Sequence, residues 1–282
     1  MDSDSHPTAH EYRRIVLCAD DFGMNAAVDA GILRLAQLGR LSATSVLVDG
    51  PLAAADAPAL TATSLQLGLH LNFTESFGQP DLCRPLRTLI QDAYLRRLPV
   101  DEVRSGIQRQ LAQFQALCGR LPDYIDGHQH VHQLPVIRQA LLAALQSRPG
   151  YRPWVRDTSR PRMQGLPLRL KFKARVIASL GAAPLRRLLQ RQGYSQNRGF
   201  LGVYDFQGDI PAYEGWMRHW LAQCRDGDAL MCHPAAGVGQ GDALASQRQS
   251  EFAVLSGEAF GHLLEEHRLI VAGSDVPQEI SK

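Results

Sequence analysis

Short apolar runs alternate along the chain with stretches whose apolar residues recur every three or four positions. Ile15 to Cys18, Ala43 to Val48, Leu65 to Leu71, Tyr124 to Asp126, Pro153 to Arg156, Phe200 to Tyr204, Ala229 to Cys232 and Leu269 to Ala272 have strand length. Between them, Val28, Ile32, Leu35 and Leu38 share one helical face, and Gly39 follows as a stop. Val103, Ile107, Leu111, Phe114 and Leu117 do the same after Asp101 and Glu102, which suit a helix N-terminus. Shorter helices are expected after Gly50-Pro51, and over about 135–146, 169–180, 184–192, 213–224 and 247–255. Residues 73–99 lack a clear period and contain Gly78, Pro80, Pro85 and Pro99, so they read as a long connection of the kind that covers a site.

Regular alternation of strands and helices predicts a parallel sheet with helices outside it. The polar residues favour a barrel over an open sheet. Asp20 and Asp21, His70, Asp126 and His128, Arg156, and His233 all fall at or just past the ends of separate apolar runs. In a parallel barrel these ends share one face, where sites assemble. Residues 1–12 are expected to be a flexible lead-in, and residues 13–282 one domain with insertions near 73–99 and 157–198.

Composition narrows the class. At 282 residues, 45% hydrophobic and 21% charged, the chain has the make-up of a soluble globular protein. The polar start and the lack of a long apolar stretch predict a cytoplasmic protein. Five scattered cysteines without a Cys-x-x-Cys pair suggest neither a disulfide framework nor a zinc ribbon, and Cys18 and Cys232, inside apparent strands, are expected to be buried thiols. No nucleic-acid partner is expected. Twelve of the 30 Lys and Arg residues lie between Arg152 and Arg198 beside a single acid, Asp157. Such a block could face an anionic membrane at its inner surface.

Each polar residue has an ordinary structural alternative: Asp20 and Asp21 as caps of the helix near Asn25, His70 and His233 as hydrogen-bonded core or turn residues. Together they form a chemical set. Two imidazoles and one carboxylate can hold a divalent metal with positions left open, a second carboxylate can take a proton from water, and an opposing histidine can protonate a leaving group. Asp20, Asp21, His70, His128 and His233 supply those types; His130 and His132 belong to the same tract as His128 without a direction fixed by spacing.

The motifs Ala19-Asp20-Asp21-Phe22-Gly23, Gly68-Leu69-His70-Leu71, Asp126-Gly127-His128-Gln129-His130-Val131-His132 and Met231-Cys232-His233-Pro234-Ala235 resemble, in order and spacing, the YdjC-like carbohydrate deacetylases, which include chitooligosaccharide deacetylases and hopanoid-cluster members. Gly127 and Gln129 stand where the chitooligosaccharide enzymes often have Ser and His. The resemblance implies an α/β fold, a deformed (β/α) barrel of parallel strands related to the polysaccharide deacetylase barrel. It implies one divalent cation, Mg2+ or Zn2+, bound by Asp21, His70 and His128. By the same likeness Asp20 is the general base, His233 the general acid and Arg156 the arginine that orients the base. Asp126 would orient a ligand histidine, His132 would contact substrate, and a backbone N–H near Asn72-Phe73 or Asp157-Thr158 would hold the oxyanion.

The implied reaction is removal of an N-acetyl group from an amino sugar in an oligosaccharide or glycolipid, by attack of a metal-activated water. The alternatives are a metal-dependent phosphoesterase, which usually needs more carboxylates or a second metal, and a sugar-binding barrel without activity.

Overall fold

The structure, a computed structural model, describes residues 12–78 and 82–272. The expected lead-in over 1–12 lies outside the described residues apart from Tyr12, as does Pro80. Eight strands follow in chain order: β1 (Arg13–Phe22), β2 (Ala43–Val46), β3 (Gln66–Leu71), β4 (Tyr124–Gly127), β5 (Trp154–Val155), β6 (Phe200–Leu201), β7 (Ala229–Cys232) and β8 (Leu269–Val271). They pair in the order β5-β4-β3-β2-β1-β7-β6, with β8 also on β1. Every pairing is parallel. An isolated parallel bridge, Pro161 to Phe200, ties the segment after β5 to β6 at the other end of the path, so the sheet curls round on itself. The strand ends therefore meet on one face, as the barrel reading requires.

The helices are α1 (Ala26–Gln37), α2 (Ala53–Thr61), α3 (Leu86–Tyr94), α4 (Val100–Cys118), α5 (Ile137–Gln146), α6 (Leu168–Ser179), α7 (Ala182–Arg191), α8 (Ile210–Gln223), α9 (Ala245–Ser256) and α10 (Glu258–Glu266). Two were missed in the sequence. Helix α3 lies inside the 73–99 stretch expected to be irregular, and buries only Leu89 and Ala93 of its nine residues. Helix α10 sits one residue after α9, too close for the two periods to separate. Both have apolar residues at helical spacing, but each is too short to stand out from its neighbours. None of the described helices is long and apolar enough to cross a membrane.

Helix α1 begins at Asn25, whose side chain accepts from the Ala27 and Val28 N–H groups at 3.1 and 3.0 Å. The first turn is thus capped without Asp20 or Asp21, and both acids are left for the site. Gly23, at φ 95°, makes the left-handed exit from β1 that a side chain would strain, and its N–H donates to the Asp29 carboxylate at 2.6 Å.

The apolar core fills the space between sheet and helices, with Leu17, Val28, Ile32, Leu69, Ile107 and Phe114 fully enclosed. Cys18 and Cys232 are buried free thiols, as expected. On the inner side of the sheet, Tyr124 stacks on Trp154 with ring centres 4.3 Å apart and lies over Gly68. A Cβ at Gly68 would stand 2.2 Å from the Tyr124 ring. Gly68→Ala should therefore overpack this layer and lower stability by about 1–3 kcal/mol. A shift of the urea midpoint to lower concentration at unchanged m checks this, and an unmoved midpoint would show that Tyr124 yields freely.

Candidate active site

Consecutive residues of a strand normally face opposite sides of the sheet, yet Asp20 and Asp21 both line one cavity. The ladder explains it. Strand β1 pairs Ala19 with Thr44 and Phe22 with Val46, so three steps on β1 match two on β2 and one extra residue bulges out at the Asp-Asp pair. Asp21 takes φ 75°, rare for a residue with a side chain. Such a conformation costs on the order of 1–3 kcal/mol and persists where surrounding contacts hold it. The acids thus lie inside a strand that runs to Phe22, rather than just past an end at Cys18.

Asp20 is held by Arg156, one residue beyond β5, through Nη1 to Oδ2 at 2.6 Å and Nη2 to Oδ1 at 2.7 Å. The same guanidinium reaches Asp126 Oδ2 at 2.7 Å and the Cys18 sulfur at 3.0 Å. Ser45 donates to Asp126 at 2.6 Å, and its hydroxyl lies 2.9 Å from that of Tyr124. Burial pushes the Asp20 carboxyl upward, but the charge and hydrogen bonds of Arg156, joined by His70 and His233, together outweigh it and hold Asp20 well below the usual carboxylate range. Asp20 is therefore ionised at neutral pH.

Across the cavity His233 follows β7, with Nε2 3.9 Å from Asp20 Oδ2. Its ring meets Phe206 edge-on at 5.1 Å, and its backbone N–H donates to Glu251 at 2.6 Å. Burial lowers the His233 pKa against the pull of Asp21, Glu251 and Asp20, which makes its protonated form a stronger acid.

Asp21, His70 and His128 come together as a second group. His128 Nδ1 is 2.9 Å and His70 Nε2 3.4 Å from Asp21 Oδ1, and the three donor atoms lie within 4.8 Å of one another. The other nitrogen of His70, Nδ1, is 2.6 Å from Asp126. Although burial disfavours its charge, Asp126 and the other acids raise the His70 pKa to about 10. His128 is raised too, by Asp21 against the effect of burial. The field among these three atoms favours positive charge, and two imidazoles with one carboxylate form a donor set for a divalent cation.

Three residues expected at the site are engaged elsewhere. Asn72 accepts from the Thr74 and Glu75 N–H groups and donates to the Glu75 carbonyl, fixing its own loop. The backbone N–H of Asn72 goes to Gln110 and that of Asp157 to Asn197, so neither is available to an oxyanion. His132 lies beneath the cavity with Nε2 3.0 Å from the Arg156 carbonyl, and burial lowers its pKa to about 4. His130, which lines the cavity, meets the Phe200 ring edge-on.

Two neighbours of these residues were not anticipated. Arg248 on α9 donates to Asp21 Oδ2 at 2.7 Å, and Glu251 on the next turn receives the Tyr204 and Tyr213 hydroxyls as well as His233. Charges on the face that also carries buried Val254 and Leu255 were the available signal. The Arg152–Arg198 block is also less cationic than it reads: Arg156, Arg162, Arg169 and Arg198 meet Asp20, Asp228, Asp205 and Asp226 from outside it.

A curled parallel α/β barrel with acids and histidines gathered at its strand ends defines the class. The model of the YdjC-like protein family matches residues 14–266, and the chain belongs to that family. It is 32% identical over 234 residues to a chitooligosaccharide deacetylase of Serratia marcescens, covering 78% of this chain and 81% of that one. A carbohydrate deacetylase of Mus musculus is 34% identical over 149 residues, 48% of this chain and 47% of the relative. The chain thus spans about half the length of the mammalian relatives it matches. Among solved structures, a protein of Enterococcus faecalis V583 ascribed to cellobiose-phosphate cleavage shares the fold with a TM-score of 0.66 at 20% identity, over 93% of this chain and 97% of that one.

Replacing Arg156 with Met leaves Asp20 and Asp126 buried without their counter-charge, and should cost about 3–5 kcal/mol at pH 7. The folded-state pKa of Asp20 is depressed, so the stabilisation from the pair is complete above the unfolded value near pH 4 and is lost as the pH falls through the folded value. Urea unfolding of both proteins between pH 7 and pH 3 should show the gap narrowing toward acid. A constant gap would assign the loss to packing alone.

Proposed function

We propose that this protein is a metal-dependent hydrolase that removes the N-acetyl group of an amino sugar, in an oligosaccharide or a glycolipid, and releases acetate and a free amine. One observation carries the reading: the Asp21–His70–His128 donor set opens into the same cavity as the facing pair Asp20 and His233. Family membership and the names of the deacetylase relatives support it.

Asp21, His70 and His128 would hold one divalent metal ion, Mg2+ or Zn2+, and the two imidazoles favour zinc. When bound, such an ion lowers the pKa of a water and polarises the amide carbonyl. Asp20, kept ionised and fixed in direction by both Arg156 nitrogens, takes the proton from the attacking water. His233, on the opposite side, gives a proton to the departing nitrogen. Asp126 fixes the tautomer and orientation of His70 through Nδ1. Arg248 holds the second oxygen of Asp21 and so sets which oxygen faces the histidines.

A two-metal phosphoesterase is less well supported. The other cluster of candidate ligands among the described residues, Cys18, Asp20 and Asp126, already surrounds the Arg156 guanidinium, and burial pushes the Cys18 thiol up, away from the thiolate a metal would need. A binding-only barrel would require neither a poised Asp20 nor a facing His233.

Acetate release should be measured on a panel of N-acetylated sugars with added Zn2+ or Mg2+ and after chelation. Asp20→Asn is expected to reduce turnover by about 10²–10⁴-fold; turnover near wild type would remove Asp20 as the base. Asp126→Asn should weaken zinc binding by about 10–100-fold in calorimetric titration, and unchanged affinity would end the orienting role of Asp126.

A further inference from the structure

The cavity at the strand ends is about 540 Å³ in volume. Beside the acids and histidines its lining includes Leu86 and Ile90 from α3 and Phe172, Lys173, Val176 and Ile177 from α6, with Leu180 just past that helix. These helices meet there, with the Tyr94 hydroxyl 3.3 Å from the Ser179 carbonyl. Helix α6 is oddly placed for its sequence: it buries only Leu170 and Ala174. Leu168, Phe172 and Val176, spaced four apart on one face, are 81%, 70% and 40% exposed. Phe172 and Val176 thus line the cavity and also belong to an exposed apolar stripe.

A sugar chain would be poorly served along this wall. Hydroxyls moved there from water without partners lose their hydrogen bonds with nothing in return. Lys173, the cationic residue of α6 that lines the cavity, is turned to the Tyr204 carbonyl at 2.5 Å and the Phe206 ring at 4.7 Å. Methylene groups in the same place gain about 0.8 kcal/mol each. The wall and the reaction centre belong to one cavity, so one molecule can fill both.

Resting on the deacetylase reading above, we propose that the α3–α6 wall is a subsite for the hydrocarbon chain of an amphiphilic substrate, a glycolipid whose N-acetylated sugar lies at Asp20, His233 and the donor set. The aliphatic wall chooses the glycolipid over the oligosaccharide, and the exposed Leu168–Phe172–Val176 stripe is where the chain leaves the cavity. This choice rests on the position of apolar side chains beside the site and needs no charge on the Arg152–Arg198 block.

The test is acetate release from methyl, butyl, hexyl and octyl N-acetylglucosaminides, each kept below its micelle concentration, alongside chitobiose and chitotriose. We expect kcat/KM to rise by about fourfold per methylene as the chain lengthens, and the octyl glycoside to be preferred over both oligosaccharides. The double variant Phe172→Ser, Val176→Ser changes exposed positions and should fold normally by circular dichroism, and in it the dependence on chain length should flatten. Calorimetric binding of the same series to Asp20→Asn protein reads the wall without turnover. Equal kcat/KM from methyl to octyl, or preference for chitotriose, overturns the subsite and leaves deacetylation standing. No acetate from any of these substrates, with affinity that still climbs with chain length, overturns the deacetylase reading and keeps the hydrocarbon subsite.

Discussion

The guanidinium of Arg156 is the contact on which the rest of the site depends. It is 1% exposed and joins Asp20, Asp126 and Cys18, side chains from β1 and β4, to the end of β5. Isolated carboxylates at this depth would take up protons rather than stay charged. With Arg156 beside it Asp20 stays ionised and faces His233, while Asp126, held by the same guanidinium, meets His70. His132 supports the same residue from below by its contact with the Arg156 carbonyl.

The bulge in β1 is the second constraint, and it follows from what the first requires. Asp20 must face Arg156 while Asp21 faces His70 and His128, and a regular strand would send the two carboxylates to opposite sides of the sheet. One extra residue in the ladder and a left-handed Asp21 bring both to the cavity. Helix α9 then fixes the result from outside the sheet, Arg248 on Asp21 and Glu251 on the His233 backbone. Asp20, Asp21 and His233 are thus held by neighbours that are themselves buried and hydrogen-bonded.

Against this rigid polar end stands a wall built differently. Helices α3 and α6 bury little and pack lightly, which suits elements that accommodate a ligand rather than hold a charge in place. Four of the twelve cationic residues between Arg152 and Arg198 meet aspartates from β1, from the turn before β7 and from the segment after β6. What the helices offer to the mouth of the cavity is apolar surface.

The alternation of apolar runs and helical periods determined the parallel barrel, because each element must hide one face and that requirement is written locally. The motifs at strand ends likewise named Asp20, Asp21, His70, His128 and His233, since a parallel sheet gathers such ends whatever the details. Only the tertiary structure decided how they divide. The bulge, the grip of Arg156 on two acids, the turning of Asn72 and His132 away from the cavity, and the arrival of Arg248 and Glu251 from a helix more than 200 residues beyond β1 all depend on ladder register and packing between distant segments. Those are relations between parts of the chain, and local pattern carries no record of them.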